Sequence, residues 1–174
     1  KAAAYLMEDL LVDFPFADDS SRANALAAML QPVVRELYQG PSPLYLIDKP
    51  LPGSGASLLA NAICRPVLGE SVPVKTWPSS SEERRKQITA HLLAGDSAFI
   101  WDNISGSIDC DAFASVLTSE IYSDRVLGTS TQVNMVNQGI WIATGNNPTF
   151  SNQIGRRIAR IRIIPETDTP TERS

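Results

Sequence analysis

Four residues close together in the chain, Gly53, Ser54, Gly55 and Ser57, have the types and spacing to hold an anion. They follow a short apolar run at 44–47 and lead into Leu58, Leu59, Ala60 and Ile63, which recur at helical spacing. A strand, a glycine turn and a helix in that order aim free backbone N–H groups and the positive end of a helix dipole at one point. The octet Pro50-Leu51-Pro52-Gly53-Ser54-Gly55-Ala56-Ser57 fits the phosphate-loop pattern G-x-x-x-x-G-K-[ST] at its sixth and eighth positions. Its first position is Pro, and Ala56 stands at the lysine. Taken alone, so partial a match describes an unliganded strand-to-helix turn equally well.

Further positions could complete such chemistry. Asp102 closes the apolar run 98–101, and a carboxylate there suits magnesium, a hard cation that takes oxygen ligands. Its simpler reading is a turn acid at a strand end. Asn146 follows the candidate strand 139–144, where a carboxamide could orient a water or touch a terminal phosphate; Asn is also a common turn residue. Arg156 and Arg157 could lend a cation to an adjacent subunit, or simply line a solvated edge. Found in this chain order, the features outweigh any one of them.

These residues need a scaffold, and the chain predicts one. Residues 2–12 read as a helix stopped by Phe14-Pro15-Phe16. Asp18, Asp19, Ser20 and Ser21 are cap-type residues before a second helix to about residue 38, with Leu26, Met29, Leu30, Val33, Val34 and Leu37 as its apolar stripe and Gly40-Pro41 as its stop. A second strand is expected at 72–77. Ser80 and Glu83 have capping-box spacing before a helix that ends at Gly95, its Glu82 to Lys86 stretch a solvated first turn. Asp109 should cap a helix over 110–120. Residues 132–136 and 139–144 read as paired strands around Asn137-Gln138, and 159–164 as the last strand. Alternating strands and helices imply a mainly parallel sheet with helices on both faces, and ligands in such sheets sit beyond the carboxyl ends of the strands. That rule places the glycine turn, Asp102 and Asn146 on one border, and the strand 98–101 is expected directly beside the strand 44–47.

With 174 residues, 43% of them apolar and 20% charged, the chain can bury a core. A net charge of −4 argues against a general nucleic-acid coat but not against a ring whose pore alone touches a strand. Cys64 and Cys110 lack metal-ligand spacing and read as two buried thiols of a cytoplasmic protein, and His91, the one histidine, as a surface or packing residue. A chain beginning at Lys1 suggests a fragment of something longer.

The order of motifs over 44–165 resembles the AAA+ P-loop ATPases, and more narrowly the superfamily-three helicases of phage and plasmid primase-helicase proteins. Pro52-Gly53-Ser54-Gly55 looks like the middle of the P-P-G-T-G-K-T loop, and Phe99-Ile100-Trp101-Asp102 like Walker B. Leu117-Thr118 through Asp124-Arg125, and then 139–148, are similar to the segment running through the sensor asparagine; Arg156-Arg157 followed by 161–165 looks like the arginine-finger turn and final strand. The resemblance implies a three-layer α/β P-loop fold, with a helical lead-in at 1–40, the core at 41–166 and a flexible tail at 167–174. It implies ATP and magnesium as cofactors, with Pro52, Gly53, Ser54, Gly55, Ala56 and Ser57 holding the phosphates and Ser57 and Asp102 the metal. Asn103, Asn146, Arg156 and Arg157 take the catalytic positions. It also implies self-association into a ring, single-stranded DNA in the pore facing a hairpin around 132–139, a role in DNA replication, and no membrane.

Two departures matter. The loop lysine is Ala56, a loss worth about 10- to 150-fold in binding. The acid after Asp102 is Asn103, whose amide accepts no proton at neutral pH, and a lost general base costs about 10²–10⁴ in rate. Lys49, one residue before the loop, could substitute an amine, but it would have to fold back over Pro50. The expected function is therefore an ATPase/helicase-like module weakened in binding and hydrolysis; the alternative is a non-enzymatic module for assembly or DNA binding. A serine hydrolase lacks G-x-S-x-G. A metal-dependent nuclease would need Asp102, Asp109 and Asp111 together.

Overall fold

The computed structural model describes residues 6–165 other than 39, 52, 70, 127 and 129. The beginning of the first expected helix, Pro52 and the tail 167–174 thus lie outside the described residues. Five parallel strands form the central sheet in the order β2-β3-β7-β1-β9. They are β1 (Leu44–Lys49), β2 (Val74–Thr76), β3 (Ala98–Ile104), β7 (Ile140–Asn146) and β9 (Ile158–Arg162). One face carries α1 (Asp19–Val34) and α2 (Ala56–Leu68), packed through Ala25, Ala28, Met29, Leu59, Ala60 and Ile63. The other carries α3 (Ser81–Ala94) and the short α4 (Asp111–Val116) over an aromatic cluster of Phe99, Trp101, Phe113 and Trp141. The three-layer α/β architecture follows: strands buried on both faces need a helical layer on each side.

The local signals at helix ends held. Asp18 caps α1 by accepting from Ser21 N at 2.7 Å, Ser80 caps α3, and Gly95 ends α3 at φ 71°. The apolar stripe of the second helix did not. Val33 and Leu37 are exposed, and the face of α1 turned to the sheet is built of small residues, Ser21, Ala25 and Ala28, with Met29. Small side chains let α1 approach closely, and Ser21 Oγ accepts from Arg162 N at the sheet edge. α1 also stops at Val34, before Gly40-Pro41, and continues as one tight turn, Arg35–Leu37. Where described, the first expected helix is a single π-turn, Leu6–Leu10.

Other expectations are corrected. Strands 132–136 and 139–144 are not partners. β6 (Gln132–Val136) pairs antiparallel with β5 (Ile121–Arg125), and β7 enters the main sheet. The hairpin alternates buried and exposed residues, as a ribbon covered on one face must, whereas β7 is buried at every position to Gly145. The helix expected over 110–120 ends at Val116, because the buried Asn137 captures the carbonyls of Val116 and Ser119 with its Nδ2. Its N-cap is Cys110, not Asp109, whose carbonyl instead accepts from Arg84. Nor is the first turn of α3 simply solvated. Arg84 holds the carbonyls of Pro78, Ser79 and Asp109 and lies over the Trp77 ring, and Arg85 pairs with the buried Asp124. Two further elements, β4 (Ser107–Ile108) and β8 (Thr149–Phe150), pair across the top of the sheet, and α5 (Asn152–Gly155) leads to β9.

His91 is a packing residue, 1% exposed, edge-on to Phe99 and Trp141. Burial pushes its imidazole down to about 4, partly countered by Asp96 at 3.3 Å from Nδ1. Its unfolded value is about 6.5, so this contribution is complete above pH 6.5 and is lost as pH falls towards 4. We expect acid to cost about 2 kcal/mol by pH 5, of about 3 in total, in urea unfolding. His91→Phe should lack that slope; an equal loss in both proteins would refute the assignment.

Candidate functional site

The glycine turn, Asp102 and Asn146 share the carboxyl border of the sheet. Lys49 is in register with Asn146, and Thr76 with Asp102. β1 is also where the chain order of the sheet reverses, since β2, β3 and β7 lie to one side and β9 to the other. A crevice beyond the carboxyl end of such a strand is where open α/β sheets take ligands. β7 intervenes between β1 and β3, so the two strands expected to be adjacent are not. The reason is that β7 is as fully apolar as β1, and nothing local ranks which of them pairs with β3.

Even so, the two expected metal positions meet. Ser57 Oγ donates to Asp102 Oδ1 at 2.7 Å, and Thr144 Oγ1 donates to the same oxygen at 2.6 Å. Thr144 Oγ1 in turn accepts from Asn103 N at 2.8 Å. Thr144 is fully buried and went unnoticed in the sequence; a hydroxyl inside an apolar strand was its only signal. These oxygens fit the donor preference of magnesium, which keeps most of its waters and binds few protein groups.

Gly55 adopts φ 85° and provides no side-chain cap to α2, so among the described residues the first N–H groups of this helix have no side-chain partner at the cap. A β-carbon on Gly55 would meet nothing within 4 Å, which leaves open space before the helix end. Gly53 is also left-handed, at φ 77°, while Ser54 is buried and its Oγ donates to Leu51 O at 2.5 Å. Ala56 packs in the core with Leu59 and Ala60. The loop is therefore a shaped turn around N–H donors, with no side-chain cation on it.

Asn103 sits at φ 55°, where β3 shifts register between Trp101 and Ile104. Asn tolerates that left-handed conformation better than most residues. Asn146 is exposed. In the amide orientation that satisfies both ends, its nitrogen donates to Lys49 O and Pro50 O at 2.9 Å each, tying β7 to the loop entrance. Gly145 permits the approach beneath, since a β-carbon there would lie 3.0 Å from Ile104 O. Asp48, also missed, is fully buried at this border; it pairs with Arg160 and accepts from Asn147 N at 3.0 Å.

Arg156 and Arg157 do not join this group within the chain. Leu44 N donates to Arg157 O, which puts them at the amino border, a strand length of about 20 Å away. Arg156 is exposed and its Nε donates to Asn152 O, while Arg157 donates to Gln153 O. Asp102, Asp109 and Asp111 form no metal cluster; among the described residues no three His, Cys, Asp or Glu side chains could hold an ion together. Cys64 and Cys110 are free and buried, and burial raises the Cys64 thiol to about 11. A cavity of about 480 Å³ opens elsewhere, lined by Lys75, His91, Asp96 and Phe99, at the amino side of β3. Among the described residues no helix is long and apolar enough to cross a membrane.

A scan against family models finds no match for this chain, and a search of curated proteins finds none.

Proposed function

We propose that this chain is a P-loop nucleotide-binding module of the AAA+ type, akin to the helicase cores of phage- and plasmid-derived primase-helicase proteins. Its nucleotide binding is weakened and its hydrolysis slow. One observation carries the reading: Ser57 and Asp102, 45 residues apart, share a 2.7 Å hydrogen bond beside the uncapped start of α2. Nothing in the packing of an ordinary strand-to-helix turn requires that pair. It has the chemistry to hold magnesium against phosphates seated on the helix N-terminus. ATP and magnesium are the ligands this reading implies. Arg156, exposed at the far border, would serve only a neighbouring subunit of a ring. The β5–β6 hairpin, rather than 132–139, is the element that would face single-stranded DNA in its pore.

A second reading, a non-hydrolysing module for assembly or DNA binding, is favoured by Ala56 and by Asn103 at φ 55°. Steady-state ATP turnover with single-stranded DNA separates the two. The common premise is tested by calorimetry with magnesium and ATP on this chain and on Ala56→Lys. The variant should bind about 10- to 150-fold more tightly. No binding by either protein, with both folded, ends the reading.

A further inference from the structure

Lys49 is the last residue of β1 and is 8% exposed, yet among the described residues its side chain has no hydrogen-bond or ion-pair partner. A lysine that buries its aliphatic stem holds its ammonium at one fixed place, here at the carboxyl border of the sheet. Among the described residues, the enclosed polar side-chain atoms without a partner belong to Arg35, Asn61, Trp77, His91 and Arg162. Lys49 Nζ is not one of them, so its tip keeps contact with solvent.

Alternation along β1 decides the side on which it emerges. Leu44 and Leu46 pack with Trp101 and Trp141, while Tyr45 and Ile47 pack with Ala56, Leu59 and Ala60. Lys49 falls on the second face, the one carrying the first turn of α2 and Ala56 itself. Because the strand runs through Lys49, its side chain leaves from the sheet on the helix side and need not fold back over the turn.

We propose that Lys49 supplies the cation that Ala56 lacks, contacting the polyphosphate of a nucleotide seated at the N-terminus of α2. This rests on the nucleotide reading above. The supports are independent: a 13-residue helix whose N-terminus has no side-chain cap, and a lysine nine-tenths buried on the same face of the sheet, with no ion-pair partner among the described residues.

The test is calorimetry with magnesium and ATP, and with inorganic tripolyphosphate, on the parent chain, Lys49→Met, Lys49→Arg and Ala56→Lys. The parent should bind both probes, Lys49→Met about 10- to 150-fold more weakly, and Lys49→Arg nearly as well as the parent. Parent-like binding by a folded Lys49→Met overturns the role of Lys49 and leaves the pocket standing. So does binding by Ala56→Lys but not by the parent. Binding by none of the four overturns the nucleotide reading itself. Should Lys49→Met not fold, amine acylation of the parent, read at each lysine by mass spectrometry, replaces it. Tripolyphosphate should slow labelling of Lys49 but not of Lys75 or Lys86, and unchanged labelling of Lys49 refutes the contact.

Discussion

Ala56→Lys combined with Asn103→Glu should hydrolyse ATP about 10²- to 10⁴-fold faster than Ala56→Lys alone, because on the nucleotide reading proposed above the second change places a general base beside Asp102. Position 103 directly follows Asp102. Its backbone N–H is held by Thr144, whose hydroxyl also fixes the Asp102 carboxylate. The geometry carries a cost. Residue 103 sits at φ 55°, and Glu fits a left-handed conformation less well than Asn, by about 1–2 kcal/mol. The double variant should therefore melt below the single one while turning over faster. Steady-state phosphate release and thermal unfolding on the same samples check both halves. A double variant that binds ATP but releases phosphate no faster would show that position 103 does not serve as base.

Arg160→Met should cost about 3–5 kcal/mol of stability, more than Asp48→Ala. The two side chains form one ion pair, but they are not equally buried. Asp48 is fully enclosed, while the Arg160 side chain is 44% exposed. Removing the arginine strands a carboxylate in the sheet, where Asn147 N–H is its remaining donor. Removing the carboxylate instead frees a guanidinium that reaches water, and leaves one N–H unpaired, at about 1–3 kcal/mol. Urea unfolding with unchanged m-values measures both. A larger loss for Asp48→Ala would refute the asymmetry. Because Asp48 precedes Lys49 at the entrance of the loop, Arg160→Met should also loosen the turn that shapes the candidate site.

Much of the local design was legible in the residues. Asp18, Ser80 and Gly95 act through neighbours within a few positions, so their capping roles needed no knowledge of the fold. The glycine turn behaved likewise, since left-handed backbone at Gly53 and Gly55 is written into residue type. The strand at 132–136 was legible, but its partner is β5 at 121–125, for which no strand was expected, and not β7. The stripe on α1 failed because apolar spacing alone does not tell which face is covered. The close approach of Ala25 and Ala28 to the sheet outweighed the larger residues on the other side.

By itself, the sequence determined the strand–turn–helix unit, the caps at Asp18, Ser80 and Gly95, and the three-layer class. Only the tertiary structure decided that β7 lies between β1 and β3, that Ser57 and Thr144 converge on one oxygen of Asp102, that Asp48 pairs with Arg160, and that Lys49 is buried with no ion-pair partner among the described residues. The physical reason is range. Turns and caps are set by interactions a few residues apart, whereas strand order and the enclosure of a charge depend on segments 42 to 112 residues away, whose packing is settled together.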